Sequence, residues 1–187
     1  MRIKYNAPTV LTYTLLCALV MAVILYLLPG LREWFIVPGR GQFSPGSLRC
    51  WVTLLSHAVG HSGWPHLLSN FAIILLVGPM LEESYGSLPL LVMIVITALV
   101  TGILNALFFP NPLFGASGVV FMMILLASFT NFSRGEIPMT FILVLTLYIG
   151  DQLVKSFDIS HSNISIFAHI AGGFCGSLFG FFISPKK

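Results

Sequence analysis

From Val10 to Leu28, and again from Leu88 to Phe109, the chain carries no charged residue. Apolar runs of about 20 residues match the hydrocarbon thickness of a bilayer. Water does not reach backbone N–H and C=O groups there, so an open chain crosses only as continuous helix. Four further apolar stretches follow, and turn-forming residues separate them: Pro29-Gly30, Gly86-Ser87, Pro110-Asn111-Pro112, Ser133-Arg134-Gly135 and Ser160 to Asn163. The predicted spans are 10–29, 65–81, 88–109, 115–132, 137–154 and 165–183. The expected fold class is an all-α membrane protein, a compact bundle of six transmembrane helices forming a single domain over residues 1–187.

Composition removes the alternatives. Only 8% of the 187 residues are charged and 57% are hydrophobic, against about 25% charged in a soluble domain. Nothing is left over for a sizeable soluble domain, and no internal repeat is visible. The net charge of +3 comes from nine Lys and Arg scattered over loops and termini, so no nucleic-acid partner is expected. Cys17, Cys50 and Cys175 form an odd set with no closely spaced pair, which implies neither a disulfide framework nor a zinc site.

Arg2 and Lys4 precede the first run, as in a signal peptide, but the run is long and no A-x-A site follows. It reads as a retained first span. Six spans place both termini on one side. Arg2, Lys4, Arg134, Lys186 and Lys187 then face Arg32, Arg40, Arg49 and Lys155 across the bilayer, and their clustering at span ends favours cytoplasmic termini. Residues 30–64 become a long external connection. Its Trp34, Phe35, Phe43 and Trp51 indicate either a piece lying in the interface or an ordinary aromatic belt.

Polar groups at membrane depth are expensive and functional by default. Pro65 suits a first helical turn, so the second helix is predicted to start there, with His66 and Asn70 on one face. Both are candidate donors to an oxyanion, or hydrogen-bonding glue between helices. His57 and His61 read as structural hydrogen-bonding residues. Without HExxH or a carboxylate partner, no metal is assigned.

Ser117 follows the turn at Pro110 and Pro112, flanked by Gly115 and Gly118. Glycines there admit a substrate backbone or a neighbouring helix, and a helix N-terminus offers free N–H groups. The same residues also suit a packing notch. In the last span Ala168, Gly172, Gly176 and Gly180 recur every four residues as a smooth ridge, with His169, Gly173 and Ser177 in the adjoining row. Such a ridge would bring the two backbones close enough for His169 to reach Ser117.

Three elements in order, His61-x4-His66-x3-Asn70, Gly115-Ala116-Ser117-Gly118 and Ala168-His169-Ile170-Ala171-Gly172, resemble the rhomboid family of intramembrane serine proteases over roughly residues 50 to 184. The resemblance implies a rhomboid-like six-helix fold. Ser117 would be the nucleophile and His169 the general base, in a dyad without Asp. His66, Asn70 and the Ser117 backbone N–H would form the oxyanion hole, with Gly115, Gly118, Phe121, Gly172 and Gly173 supporting the site. Glu82, in Leu81-Glu82-Glu83-Ser84-Tyr85-Gly86, looks like the family's structural acidic residue, and Gly86 like a nearby glycine. Phe121 stands where many members have Tyr, so it stacks on the imidazole without a hydroxyl. The family's Trp-Arg pair in the first external loop is not reproduced, since Arg49 and Trp51 fall out of pattern.

The expected activity is serine-type endopeptidase hydrolysis, through an acyl-enzyme, of transmembrane protein substrates near the outer end of their helix. No cofactor is expected. The bilayer is the surrounding partner, in a bacterial or archaeal cell membrane. Span five and the loop Lys155 to Asn163 are the candidate gate. The alternative is a non-catalytic rhomboid-like protein that binds membrane helices. A transporter or channel would show broken helices in paired halves or more mid-membrane charge, and neither is present.

Overall fold

The computed structural model describes residues 5–129, 137, 139–143, 146–147 and 163–185. Helix α1 covers Pro8–Ala22. Its last turn, Val23–Leu27, widens to π geometry: Leu28 N–H reaches the Val23 carbonyl five residues back, at 2.8 Å. Pro29 follows, and the residue before a proline is driven out of helical dihedrals. Leu28 accordingly sits at φ −138°, ψ 73°.

The connection after α1 is a built structure. A 3-10 turn spans Pro29–Phe35, α2 covers Leu48–Ser56 and a second 3-10 turn covers His57–Val59. Cys50, Thr53 and Leu54 of α2 point inward, while Leu48, Trp51, Val52 and Leu55 stay exposed. Of the aromatic residues in this segment, Trp34 and Trp51 are exposed, and Phe43 packs edge-on against Trp51 at 5.4 Å between centroids.

Helix α3 covers Trp64–Tyr85 with Pro65 in its first turn, one turn longer at its C-terminal end than the predicted 65–81. Helix α4 covers Ser87–Phe108. A single residue, Gly86, separates these two long helices. Its φ of +95° lies where a side chain is strained. The α1 start is tied to the same corner: Glu82 accepts the Thr9 and Val10 N–H groups at 2.8 and 2.9 Å, satisfying donors that an α-helix leaves open.

Helix α5 covers Ser117–Ala127, shorter than the predicted 115–132. Gly115, at φ +131°, cannot be helical, and Ser128 and Phe129 close with three-residue bonds to Leu125 and Leu126. Helix α6 covers Asn163–Phe182. Most of the predicted fifth span, the loop from Lys155 and the turn at Arg134 lie outside the described residues; 139–143 and 146–147 are helical.

Met21, Leu67, Ile74, Leu81, Leu90 and Met122 fill the interior, each at most 1% exposed. Outward side chains are equally apolar: Leu76 is 70% and Phe182 81% exposed. A water-facing surface would not carry such residues on helix after helix. Three helical stretches among the described residues, Pro8–Leu27, Trp64–Tyr85 and Ser87–Phe108, are long and apolar enough to cross a membrane.

Candidate active site

Ser117 is the first residue of α5 and half-buried. The segment from Phe109 to Ala116 before it is not helical, yet much of its backbone is hydrogen-bonded. Val37 and Leu113 exchange two hydrogen bonds at 3.0 Å, Arg40 N–H donates to Phe109 O at 2.6 Å and Gly115 N–H donates to His57 O at 3.0 Å. Asn105 Nδ2 donates to Asn111 O at 3.1 Å. Irregular backbone at membrane depth persists only where protein supplies such partners, and here residues 37–57 supply most of them.

Two predicted residues meet at the mouth of α5. A Cβ placed on Gly115 would lie 2.5 Å from His66 Cε1 and 2.9 Å from Nε2. The His66 imidazole therefore rests directly on the Gly115 backbone, two residues before Ser117. Its Nδ1 is held by the Ser62 hydroxyl at 3.1 Å. Asn70, one turn further along α3, is buried and bonded through Nδ2 to His61 Nε2 at 3.0 Å.

The opposite wall is α6. A Cβ on Gly172 would overlap the Gly118 carbonyl, and one on Gly176 the Met122 carbonyl. Gly180 closes on the Phe129 ring. The four-residue ridge thus faces α5 with backbone nearly touching backbone. At Gly118 a Cβ would meet Thr101 Cγ2 at 3.0 Å and Ala168 O at 3.3 Å. On this seam the His169 ring lies 4.1 Å from the Phe121 ring, at 36° between planes. Ser117 and Phe121 are four apart, on one face of α5, so His169 sits over the face that carries Ser117. Gly173 is buried, but its described contact is internal to α6, accepting the Ser177 hydroxyl at 2.9 Å.

A family model described as Rhomboid domain matches residues 48–186. The chain belongs to the rhomboid family. It is 28% identical to "Rhomboid protease GlpG" of Haemophilus influenzae over 137 residues, 71% of this chain and 70% of that protein. It is 30% identical to "RHOMBOID-like protein 4" of Arabidopsis thaliana over 129 residues, 65% of this chain and 31% of that longer protein. With its apolar helices, this rhomboid is an integral membrane protein.

Two residues of this rhomboid, His57 and His61, have partners that their sequence context does not specify. His57 is buried, its Nε2 donates to Ala98 O at 3.0 Å, and its own carbonyl holds Gly115. His61 is buried beside Asn70. Burial pushes both pKa values down to about 4; Ala98 and Gly115 pull the first the other way, and neighbouring His66 adds to the second. Both rings are neutral at pH 7. The spacing His57-x3-His61 was visible, but nothing in it names Ala98 or Asn70 as partner. Gly60 was the other available signal: a Cβ there would overlap the Phe114 ring, so the histidine segment packs on the Ser117 loop.

Proposed function

We propose that this rhomboid is an intramembrane serine endopeptidase with Ser117 as nucleophile and His169 as general base. The observation that carries the reading is the His169 ring lying against Phe121, over the α5 face that begins with Ser117. The relative named a rhomboid protease, matched over 70% of its length, supports the same activity.

In the first step His169 takes the Ser117 hydroxyl proton as Oγ bonds to a substrate carbonyl carbon. The tetrahedral oxyanion is received by the Ser117 N–H, in a helical turn whose N–H groups lack intrahelical acceptors, and by His66 and Asn70. The Ser62 hydroxyl, 3.1 Å from His66 Nδ1, supports the tautomer with its proton on Nε2, the nitrogen beside Gly115. Collapse breaks the C–N bond, and the His169 proton goes to the leaving amine. Water then attacks the acyl-enzyme with His169 again as base. Each oxyanion donor contributes about 3–4 kcal/mol to the transition state.

The substrate is a transmembrane protein, cut near the outer end of its helix, where the mouth of α5 and the head of α3 lie. Both termini are cytoplasmic in this reading, in a bacterial or archaeal cell membrane, with the chain crossing six times. The basic residues at 2, 4, 134, 186 and 187 support that orientation. Single cysteines introduced near either end should react with a membrane-impermeant maleimide only in inverted vesicles.

A fluorophosphonate probe tests the chemistry. Labelling of the wild type, absent in Ser117→Ala and His169→Ala, is expected. A folded, thermally stable wild type that neither labels nor cleaves would replace the protease reading with a non-catalytic helix-binding one.

A further inference from the structure

Asn70 carries an amide whose χ2 torsion is broad and roughly two-fold. Such a group aims a hydrogen only if something fixes it. Its Nδ2 has two hydrogens, and one is bonded to His61 Nε2 at 3.0 Å. His61 is itself immobilised. It is 2% exposed, edge-on to His66 at 5.1 Å and to Phe71 at 6.5 Å between centroids. Residue 61 lies before Gly63, outside α3, and reaches across the start of the helix to a residue nearly two turns inside it. A packing histidine needs no such bond. A neutral imidazole also offers one acceptor nitrogen only, so the bond to Asn70 takes the whole accepting capacity of the ring.

We infer that His61 is a positioning residue: its Nε2 accepts one Asn70 N–H and thereby aims the other at the oxyanion formed when Ser117 attacks. This rests on the proteolytic reading above and adds to it a residue that touches no reacting atom. His66 and His61 then divide the labour, one as direct donor and the other as the acceptor that orients the second donor.

The test is steady-state cleavage of a transmembrane substrate in reconstituted membranes by His61→Phe, His61→Gln, Asn70→Ala and the His61→Phe/Asn70→Ala double variant. Phe keeps a ring against His66 and Phe71 and removes the acceptor; Gln restores an acceptor oxygen. Expected for His61→Phe is a fall in kcat of about 10- to 100-fold, the scale of a misplaced catalytic group, with KM little changed. The double variant should be no slower than Asn70→Ala alone, because the two act as one unit. His61→Gln should recover most of the lost rate. An active wild type in which the His61→Phe and Asn70→Ala losses multiply, or in which only KM moves, overturns the inference and leaves the protease standing. If His61→Phe does not fold, a folded His61→Gln as slow as Asn70→Ala overturns it, and one near wild-type rate supports it. A folded wild type that cleaves nothing and takes no serine probe removes the protease reading itself.

Discussion

Along the α5–α6 seam, Gly118, Gly172 and Gly176 let two helices meet backbone to backbone. Across the site, residues 37–61 hold the Ser117 loop and Asn70 by individual hydrogen bonds, Val37 to Leu113, Arg40 to Phe109, His57 to Gly115 and His61 to Asn70, and His57 is itself tied to Ala98 of α4. The first region works by leaving side chains out, the second by pairing individual backbone groups and histidine nitrogens. In lipid, apolar side chains gain little by leaving one hydrocarbon surface for another, so helix pairs rely on close packing. Non-helical backbone in the same medium must find explicit partners. The two walls of one site thus answer two different demands, and substitutions should separate them.

The largest effect expected is loss of chemistry with the seam intact. Ser117→Ala and His169→Ala should each lower kcat by about 10⁴-fold or more, with the thermal midpoint in detergent unchanged. A midpoint drop of the same order as a core deletion would mean these residues serve packing instead.

Gly115→Ala tests the loop wall. It forces a side chain into φ +131° and into the His66 ring. A displaced donor predicts a kcat fall of about 100-fold, larger than its effect on stability. Equal losses in both would show that Gly115 matters only for folding.

Gly172→Val tests the seam, where the new side chain would overlap the Gly118 carbonyl. Overpacking of this kind costs about 1–3 kcal/mol, read as a lower thermal or denaturant midpoint with activity falling alongside. Gly118→Ala meets its neighbours at 3.0 and 3.3 Å and should cost less. The reverse ranking would contradict the packing described.

The loop wall also carries a pH signature absent from the glycine seam. His57 and His61 are held near pKa 4 when folded and return to about 6.5 when unfolded. Between those values the unfolded chain binds more protons, so stability falls as pH drops from about 6.5 towards 4. The slope is at most about 1.4 kcal/mol per pH unit for each histidine. Thermal melts across that range should show it, and His57→Phe should remove roughly its own share. A slope untouched by that substitution would place the titration elsewhere. Val37→Pro deletes one N–H donor to Leu113, leaves that carbonyl unpaired and should cost about 1–3 kcal/mol with little change in kcat.

The legible part of the site was the part with a period. Ala168, Gly172, Gly176 and Gly180 announce a face by spacing alone, and α6 uses that face against α5. Pro65 announced the start of α3, and Glu82 found its partners at the head of α1. The length of α5 was not legible. Apolarity runs on from Gly115 to Phe132, but Gly115 takes a left-handed dihedral because His66 needs the space a Cβ would fill. Nor was the work of His57 and His61. Their partners, Ala98 and Asn70, lie 41 and 9 residues away, and no periodicity links a histidine to a carbonyl on another helix.

The sequence by itself determined that this chain lives in a membrane, where its long helices run, and which ridge of α6 is smooth enough to be approached. Those follow from hydrophobicity and from the repeat of the α-helix, which are local. Tertiary structure alone decided where α5 begins, which backbone atoms residues 37–61 satisfy, and that a buried imidazole stands behind Asn70. Hydrogen bonds between distant segments depend on where whole helices come to rest, and that position is the outcome of packing rather than a property of any stretch of residues.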